Sequence, residues 1–323
     1  MPAYPPNTLS LVADVGGTNT RVALADGAVL LPETVKKYRN SEYPGLDTVL
    51  EQYVQEKQVD CIAAAAAIAG PVRDGKGSLT NLDWSIDADT LARATRAETV
   101  SVLNDLQAQG FGVGLITGEN LIEVCAGRPA QAGATSLVIG VGTGFNAAPV
   151  FHANGLRVVP PSESGHINLP PRTESELRLY RYIEERHGGF ASVEDVLSGR
   201  GLERVYAWHA HEAGQTTFKS AADIMAGCAS RDDAIALETV ATFNRLLGTV
   251  AGNLALIYLP FGGVYLIGGV ARAVSTYFQE TGFVEQFRNK GRFSDFMEAF
   301  PVSVITDDFA ALTGLASHLK ELG

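Results

Sequence analysis

Three times along the chain an apolar run stops on glycines. Leu9–Val15 (LSLVADV) precedes Gly16-Gly17, Ser136–Val141 (SLVIGV) precedes Gly142-Thr143-Gly144, and Val264–Ile267 (VYLI) precedes Gly268-Gly269. A short apolar run bounded by turn residues reads as a buried strand. The glycines at its end let backbone amides approach a ligand closely. Helical patterns lie between these runs, so strands alternate with helices and the class is α/β.

The three turns lead into different segments. After the first, Arg21–Leu24 is a second apolar run, and the pair reads as a β-hairpin around Gly16-Gly17-Thr18-Asn19. Its amides and the Thr18 hydroxyl suit phosphate oxygens, and Asp14 at the edge suits a divalent cation, directly or through water. An ordinary hairpin prefers Asp and Gly as well. The second turn contains GxGxG, but Phe145–Phe151 (FNAAPVF) continues as a strand and no helix opens. A second phosphate-binding hairpin therefore fits better than a dinucleotide fingerprint. The third turn opens a helix from Ala271, an arrangement that suits adenine and ribose held against backbone.

Other residues carry chemistry. In Thr99–Gln107 (TVSVLNDLQ) a strand-like run ends on Asn104-Asp105 and a helical segment comes next. A carboxylate at the mouth of a buried strand is placed to act as a general base, while the plainer reading makes Asp105 a helix N-cap. Pro160–Leu169 (PPSESGHINL) puts Glu163 and His166 in a polar loop with no third ligand nearby, which favours hydrogen bonding to a polyol over metal binding. A solvated loop is the alternative. Ser192-Val193-Glu194 opens a helical turn in which Glu194 complements the helix dipole, and Ser198-Gly199 reads as its stop. Leu79-Thr80-Asn81 before Trp84 either reaches a ligand or closes a loop.

The remaining pattern is mostly helical: Leu46–Gln58, Arg172–Arg186, Arg204–Ala213, Ser220–Cys228 and one long helix over Asp232–Leu259, whose Gly248 and Gly252 suggest close packing. Cys61–Ala69 (CIAAAAAIA) reads as a buried strand, although alanine favours helices. A strand over Val302–Ile305 and a helix from Phe309 to Leu319 end the chain.

A length of 323 residues predicts two domains or one large one. With 25 basic against 36 acidic residues the net charge is −11, and no basic footprint marks a nucleic-acid partner. Phosphorylated ligands need only local amides and a metal. Cys61, Cys125 and Cys228 lie far apart with no zinc-site spacing, as expected of free thiols in a reducing compartment. No secretory leader pattern and no bilayer-length apolar run is read, so a cytoplasmic location and no membrane partner are expected.

In order and content, LVADVGGTNTRVAL, SLTNLDW, LNDLQA, VIGVGTG, SESGH, SVEDVLSGRGL and VYLIGGV resemble the actin-like ATPase superfamily, and within it the bacterial ATP-dependent glucokinases, from about Leu9 onward. The cysteine-rich zinc motif of the related repressor/kinase group is missing, so the zinc-free branch fits. The resemblance implies an α/β, two-domain actin-like ATPase (ribonuclease H-like) fold with its active site in an interdomain cleft. The domains are expected at 1–112 plus 303–323 and at 113–302. It implies transfer from ATP to glucose with Mg2+, or to another hexose, and a homodimer; a sugar-sensing regulator is the rival of another class. Asp105 would be the general base. Asn104, Glu163, His166 and Glu194 would bind the hexose, with Asn81 contributing. Gly16, Gly17, Thr18 and Asn19 would form the first phosphate turn, and Gly142, Thr143 and Gly144 the second. Asp14 would organise magnesium, and Gly268 and Gly269 would face the adenosine. The chain departs from the family pattern at Ser164, where glycine is usual, and at Phe145-Asn146, where Leu-Gly usually continues the second turn.

Overall fold

The structure is a computed structural model describing residues 7–79 and 84–323. They group into two compact units: Met1–Thr117 with Ala153–Pro161 and Asp307–Gly323, and Gly118–His152 with Ser162–Thr306. This grouping differs from the division expected from sequence at the strand Val302–Ile305, which pairs within the second unit, and at Ala153–Pro161, which goes with the first.

In the first unit, β1 (Leu9–Val15) and β2 (Asn19–Asp26) form the expected hairpin, with Val15 opposite Thr20. β3 (Val29–Arg39) extends it antiparallel. After α1 (Leu46–Lys57), β4 (Cys61–Ile68) pairs parallel with β1. Three short strands come next, β5 (Val72–Arg73), β6 (Lys76–Ser78) and β7 (Ser85–Asp87), then α2 (Ala88–Thr95). β8 (Thr99–Asn104) pairs parallel with β4, giving the order β3-β2-β1-β4-β8.

Burial on both faces explains the alanine run of β4. Ala64, Ala66 and Ile68 pack with Val49, Leu50 and Tyr53 of α1, whereas Ala63, Ala65 and Ala67 pack with Ala108, Leu312 and Leu315. A strand covered on both faces reads as an unbroken apolar run. On the second face, α3 (Asp105–Gly112) and the C-terminal helix α12 (Ala310–Leu322) meet backbone to backbone. A Cβ on Gly314 would run into the Ala108 carbonyl, and one on Gly112 would stand 2.8 Å from the Ala310 oxygen. The short strand β12 (Leu156–Val158) is tied to the same pair of helices: Arg157 Nε lies 2.6 Å from Glu321 Oε1, and its guanidinium also donates to the Phe111 carbonyl and the Ser317 hydroxyl.

The second unit contains β9 (Leu121–Cys125), β10 (Ser136–Val141), β11 (Phe145–Ala153), β13 (Val264–Ile267) and β14 (Val302–Ile305). Their order is β11-β10-β13-β14-β9, parallel at β10, β13 and β14 and antiparallel at both flanks. α4 (Glu174–Arg186), α5 (Val193–Val196), α6 (Gly199–Glu212), α7 (Ala221–Ser230) and α8 (Ala234–Tyr258) come before β13, and α9 (Gly269–Ser275), α10 (Phe278–Thr281) and α11 (Phe283–Arg288) after it. α8 is long and apolar enough to cross a membrane, but Val240, Phe243, Leu246, Leu247 and Val250 bury it in this core. Gly248 and Gly252 admit α11, because a Cβ at either would meet the carbonyl of Phe283 or Phe287. α6 begins at Gly199, ahead of the expected Arg204: Ser198, read from sequence as a stop, is its N-cap and accepts from the Gly201 N–H at 3.0 Å.

Candidate active site

In the first sheet Val15, Ile68 and Asn104 stand side by side in register. The first glycine turn and the Asn104-Asp105 pair therefore share one edge, at the carboxyl ends of parallel strands, where open α/β sheets hold their ligands. Asp14, Gly16, Gly17, Thr18, Asn19, Arg21 and Lys37 line a cavity of about 240 Å³. Arg21 and Lys37 are cross-strand partners on β2 and β3, and Arg21 Nη1 lies 3.5 Å from Asp14 Oδ2. Burial raises the Asp14 carboxyl above its ordinary range, and Arg21 opposes the shift. The two cations with one carboxylate suit an anion accompanied by a metal ion. Sequence reasoning missed both basic residues, since only the pairing of β2 with β3 brings Lys37 to the turn.

The turn itself is held from behind by Asn40. This buried side chain donates to the Gly16 carbonyl at 2.7 Å and accepts from Thr20 Oγ1 at 2.9 Å. Its backbone N–H donates to the Thr18 carbonyl at 2.9 Å, and Gly16 N–H donates to Asn19 at 3.0 Å. Paired this fully, the turn keeps its shape before any ligand arrives.

Asp105 is the first residue of α3, but it does not cap the helix. Asn104 does: its Oδ1 accepts from the Leu106 N–H at 2.9 Å, and its own N–H donates to Gln107 Oε1 at 3.2 Å. Asn104 Nδ2 donates to the Gly70 carbonyl at 2.9 Å, tying the loop after β4 to the helix start. The half-buried Asp105 carboxylate accepts from the Leu106 N–H at 2.8 Å. The amide-rich helix end around it favours negative charge. Gln107 also donates to the Val159 carbonyl at 2.8 Å.

In the second unit, the turn Gly142–Gly144 closes with Gly142 N–H donating to the Gly144 carbonyl at 2.9 Å, and the first residue of α6, Gly199, donates to the Gly142 carbonyl at 2.8 Å. Gly268 lies at the same sheet edge with φ 111°, and a Cβ there would strike the Val141 carbonyl. Gly269 starts α9 with open space around it. Glu194 lies in the first turn of α5, as expected, but the capping box is completed by Asp195, which Arg204 Nη1 holds at 2.9 Å. The Glu194 carboxylate instead accepts from the Phe145 N–H at 2.9 Å, filling the space a Gly144 Cβ would need. Gly165 packs on the Phe145 carbonyl so closely that no Cβ fits. Glu163 precedes and His166 ends a short 3-10 turn, Ser164–His166, with His166 Nε2 4.0 Å from Glu163 Oε2 and both side chains more than 60% exposed. Glu163, His166, Glu194 and the second turn are thus brought together. Ser164 is not among the described residues with left-handed backbone, so serine in place of the usual glycine brings no strain. Asn146 bonds to this loop through Ser162 and Ser164, a role no local pattern signals. Asn81 lies outside the described residues.

The glucokinase family model matches residues 11–322. A glucokinase of Rhizobium etli is 32% identical over 312 residues, covering 96% of this chain and 91% of that protein. One from Saccharophagus degradans is 34% identical over 320 residues, covering 97% and 98%. The crystal structure of a glucokinase from an Antarctic psychrotroph matches with a TM-score of 0.87 at 29% identity, over 97% of this chain and 98% of that one. The fold is the two-domain α/β fold of the actin-like ATPases, as expected from sequence.

Proposed function

Because the chain belongs to the glucokinase family, we propose that it transfers the γ-phosphoryl group of ATP to the 6-hydroxyl of D-glucose, giving glucose 6-phosphate and ADP. The observation that carries this reading is the position of Asp105: at the carboxyl edge of a parallel sheet, on a helix start whose capping is done by Asn104. Asp105 accepts the proton of the sugar hydroxyl as its oxygen bonds to phosphorus and the bond to the ADP oxygen breaks. Asn104, Glu163, His166 and Glu194 hydrogen-bond the sugar hydroxyls, with Asn81 assigned to the same task. Gly16, Gly17, Thr18 and Asn19, with Arg21 and Lys37 beside them, receive phosphate oxygens, as do Gly142, Thr143 and Gly144. Gly268 and Gly269 face the adenosine, for which the open space at Gly269 leaves room.

Among the described residues no group of three His, Cys, Asp or Glu side chains could cage a metal ion. A single carboxylate beside a phosphate turn is nonetheless the donor set Mg2+ uses, since it takes one or two carboxylates and fills the rest with water and substrate phosphates. Asp14 would hold it, and the ion would neutralise phosphate charge. The same reading includes a cytoplasmic homodimer acting at the entry to glycolysis, with no nucleic-acid or membrane partner; the acidic balance of the chain supports the absence of nucleic acid.

A coupled ADP-release assay with ATP and Mg2+ over a hexose panel, with a no-sugar control, tests it. Turnover on glucose is expected. Turnover on another hexose alone would move the substrate and keep the roles, and ADP release without sugar would overturn the reading.

A further inference from the structure

Asn146 comes just after the second glycine turn, on β11, and its side chain faces the loop that carries Glu163. Nδ2 donates to the Ser162 carbonyl. Oδ1 accepts from the Ser164 N–H at 3.0 Å, the Ser164 hydroxyl at 3.1 Å and the Ser162 hydroxyl at 3.3 Å, besides its neighbour's Ala147 N–H at 2.8 Å. An amide with its nitrogen toward a carbonyl and its oxygen toward these donors has only one orientation that fits. No other small residue makes the set. Glycine supplies none of it, and aspartate would turn a second acceptor onto the Ser162 carbonyl. The residue before it, Phe145, gives its N–H to Glu194 and its carbonyl to the close approach of Gly165.

We infer that Asn146 is a positioning residue for the hexose, holding the loop on both sides of Glu163 so that Glu163 and His166 keep their places relative to Glu194. The identity of the ligand rests on the glucokinase reading; the network does not. Although Asn146 adjoins the turn Gly142–Gly144, its side chain bonds point to the sugar loop, so it acts on sugar binding more than on nucleotide binding. It also explains the two departures from the family pattern together. Ser164 supplies a hydroxyl that glycine lacks, Asn146 supplies the acceptor for it, and each has this partner because the other is present.

The test replaces both with the residues usual in the family, Asn146→Gly and Ser164→Gly, singly and together. Amide hydrogen exchange over the loop 160–168 reads the network directly, and glucose calorimetry with steady-state kinetics reads its consequence. For Asn146→Gly the loop should exchange faster, and glucose Kd and KM should rise about tenfold, as expected for loss of one to two net hydrogen bonds. The KM for ATP should move less than about threefold on the same scale. Ser164→Gly should weaken glucose binding in the natural background and add little in the Asn146→Gly background, the coupling expected of bonded side chains. Thermal melts identify a variant that fails to fold. In that case Ser164→Ala, which removes the hydroxyl and keeps the backbone bond, stands in, with faster loop exchange and weaker glucose binding expected. Unchanged exchange, additive effects, or a rise in ATP KM with glucose KM intact would each overturn the inference. A natural protein that binds no hexose would instead remove the glucokinase reading, while the exchange result still decides the network.

Discussion

Gly314 of α12 takes no part in the proposed chemistry, yet Gly314→Ala is expected to lower both stability and turnover. Two effects of opposite sign compete. Alanine in a helix interior is favoured over glycine by about 1 kcal/mol. Against this, the new methyl would run into the Ala108 carbonyl and stand 2.8 Å from both the Ala108 carbonyl carbon and the Gly112 nitrogen. All three are backbone atoms of α3, so no side chain can swing aside. Comfortable contact for such atoms begins at about 3.5 Å, so the methyl and the oxygen must part by about two ångströms, a shift shared between α3 and α12. Overpacking of this kind costs about 1–3 kcal/mol, and backbone on both sides puts it at the upper end. Ala65, Ala67, Leu312 and Leu315 lose contacts as the helices separate. The net effect is destabilisation by about 1–2 kcal/mol, which for a chain of 323 residues is a fall in Tm of about 1.5–3 °C. Because α3 begins at Asp105, the same shift displaces the proposed base. Misplacing a catalytic group by an ångström costs on the order of 100-fold in rate. A thermal melt with kcat on glucose checks both consequences. An unchanged or higher Tm with full kcat would refute the reasoning, since it would mean that the helix crossing has slack and does not set the position of Asp105.

Asn40→Ala should cost about 2–3 kcal/mol, because it leaves the Gly16 carbonyl and the Thr20 hydroxyl without their buried partner; denaturant unfolding measures it, and ATP KM should rise more than glucose Kd. For Asp14 the sign is set by burial, which raises its carboxyl in the folded state. Its contribution to stability is fullest below the ordinary carboxylate range and is lost as pH rises through the raised value. At neutral pH the charged side chain therefore costs stability. Asp14→Asn should raise Tm at pH 7, with the gain shrinking toward pH 3, while Mg2+-dependent turnover is lost; a lower Tm at pH 7 would contradict this.

Local rules made most of the elements legible. The hairpin of β1 and β2, the strand nature of FNAAPVF and the long α8 are given by apolar period and glycine placement within a few residues. The alanine run declared itself a strand against its helix propensity because both its faces are buried. The features that stayed hidden depend on partners distant in sequence. Asn40 is an ordinary polar residue until the pairing of β2 with β3 brings it behind the first turn, 24 positions from Gly16. Asn146 looked like a departure from a phosphate turn, and only the fold shows that its bonds run to Ser162 and Ser164. Arg157, anchored 164 positions away on Glu321, explains why a short segment far from either terminus packs with the first unit. At Asn104-Asp105 the sequence placed a cap and a carboxylate together but could not say which residue was which, since Asn and Asp cap equally well. The register of β8 with β4, which ends on Asn104, decides it.

The role of Asp105 is tested most directly by kcat on glucose for Asp105→Ala beside the natural protein, with glucose affinity of both measured by calorimetry. Loss of a general base predicts a fall in kcat on the order of 10²- to 10⁴-fold, with glucose still bound through the remaining polar side chains. An Asp105→Ala protein with kcat near that of the natural one would take Asp105 out of the mechanism and contradict the account at its centre.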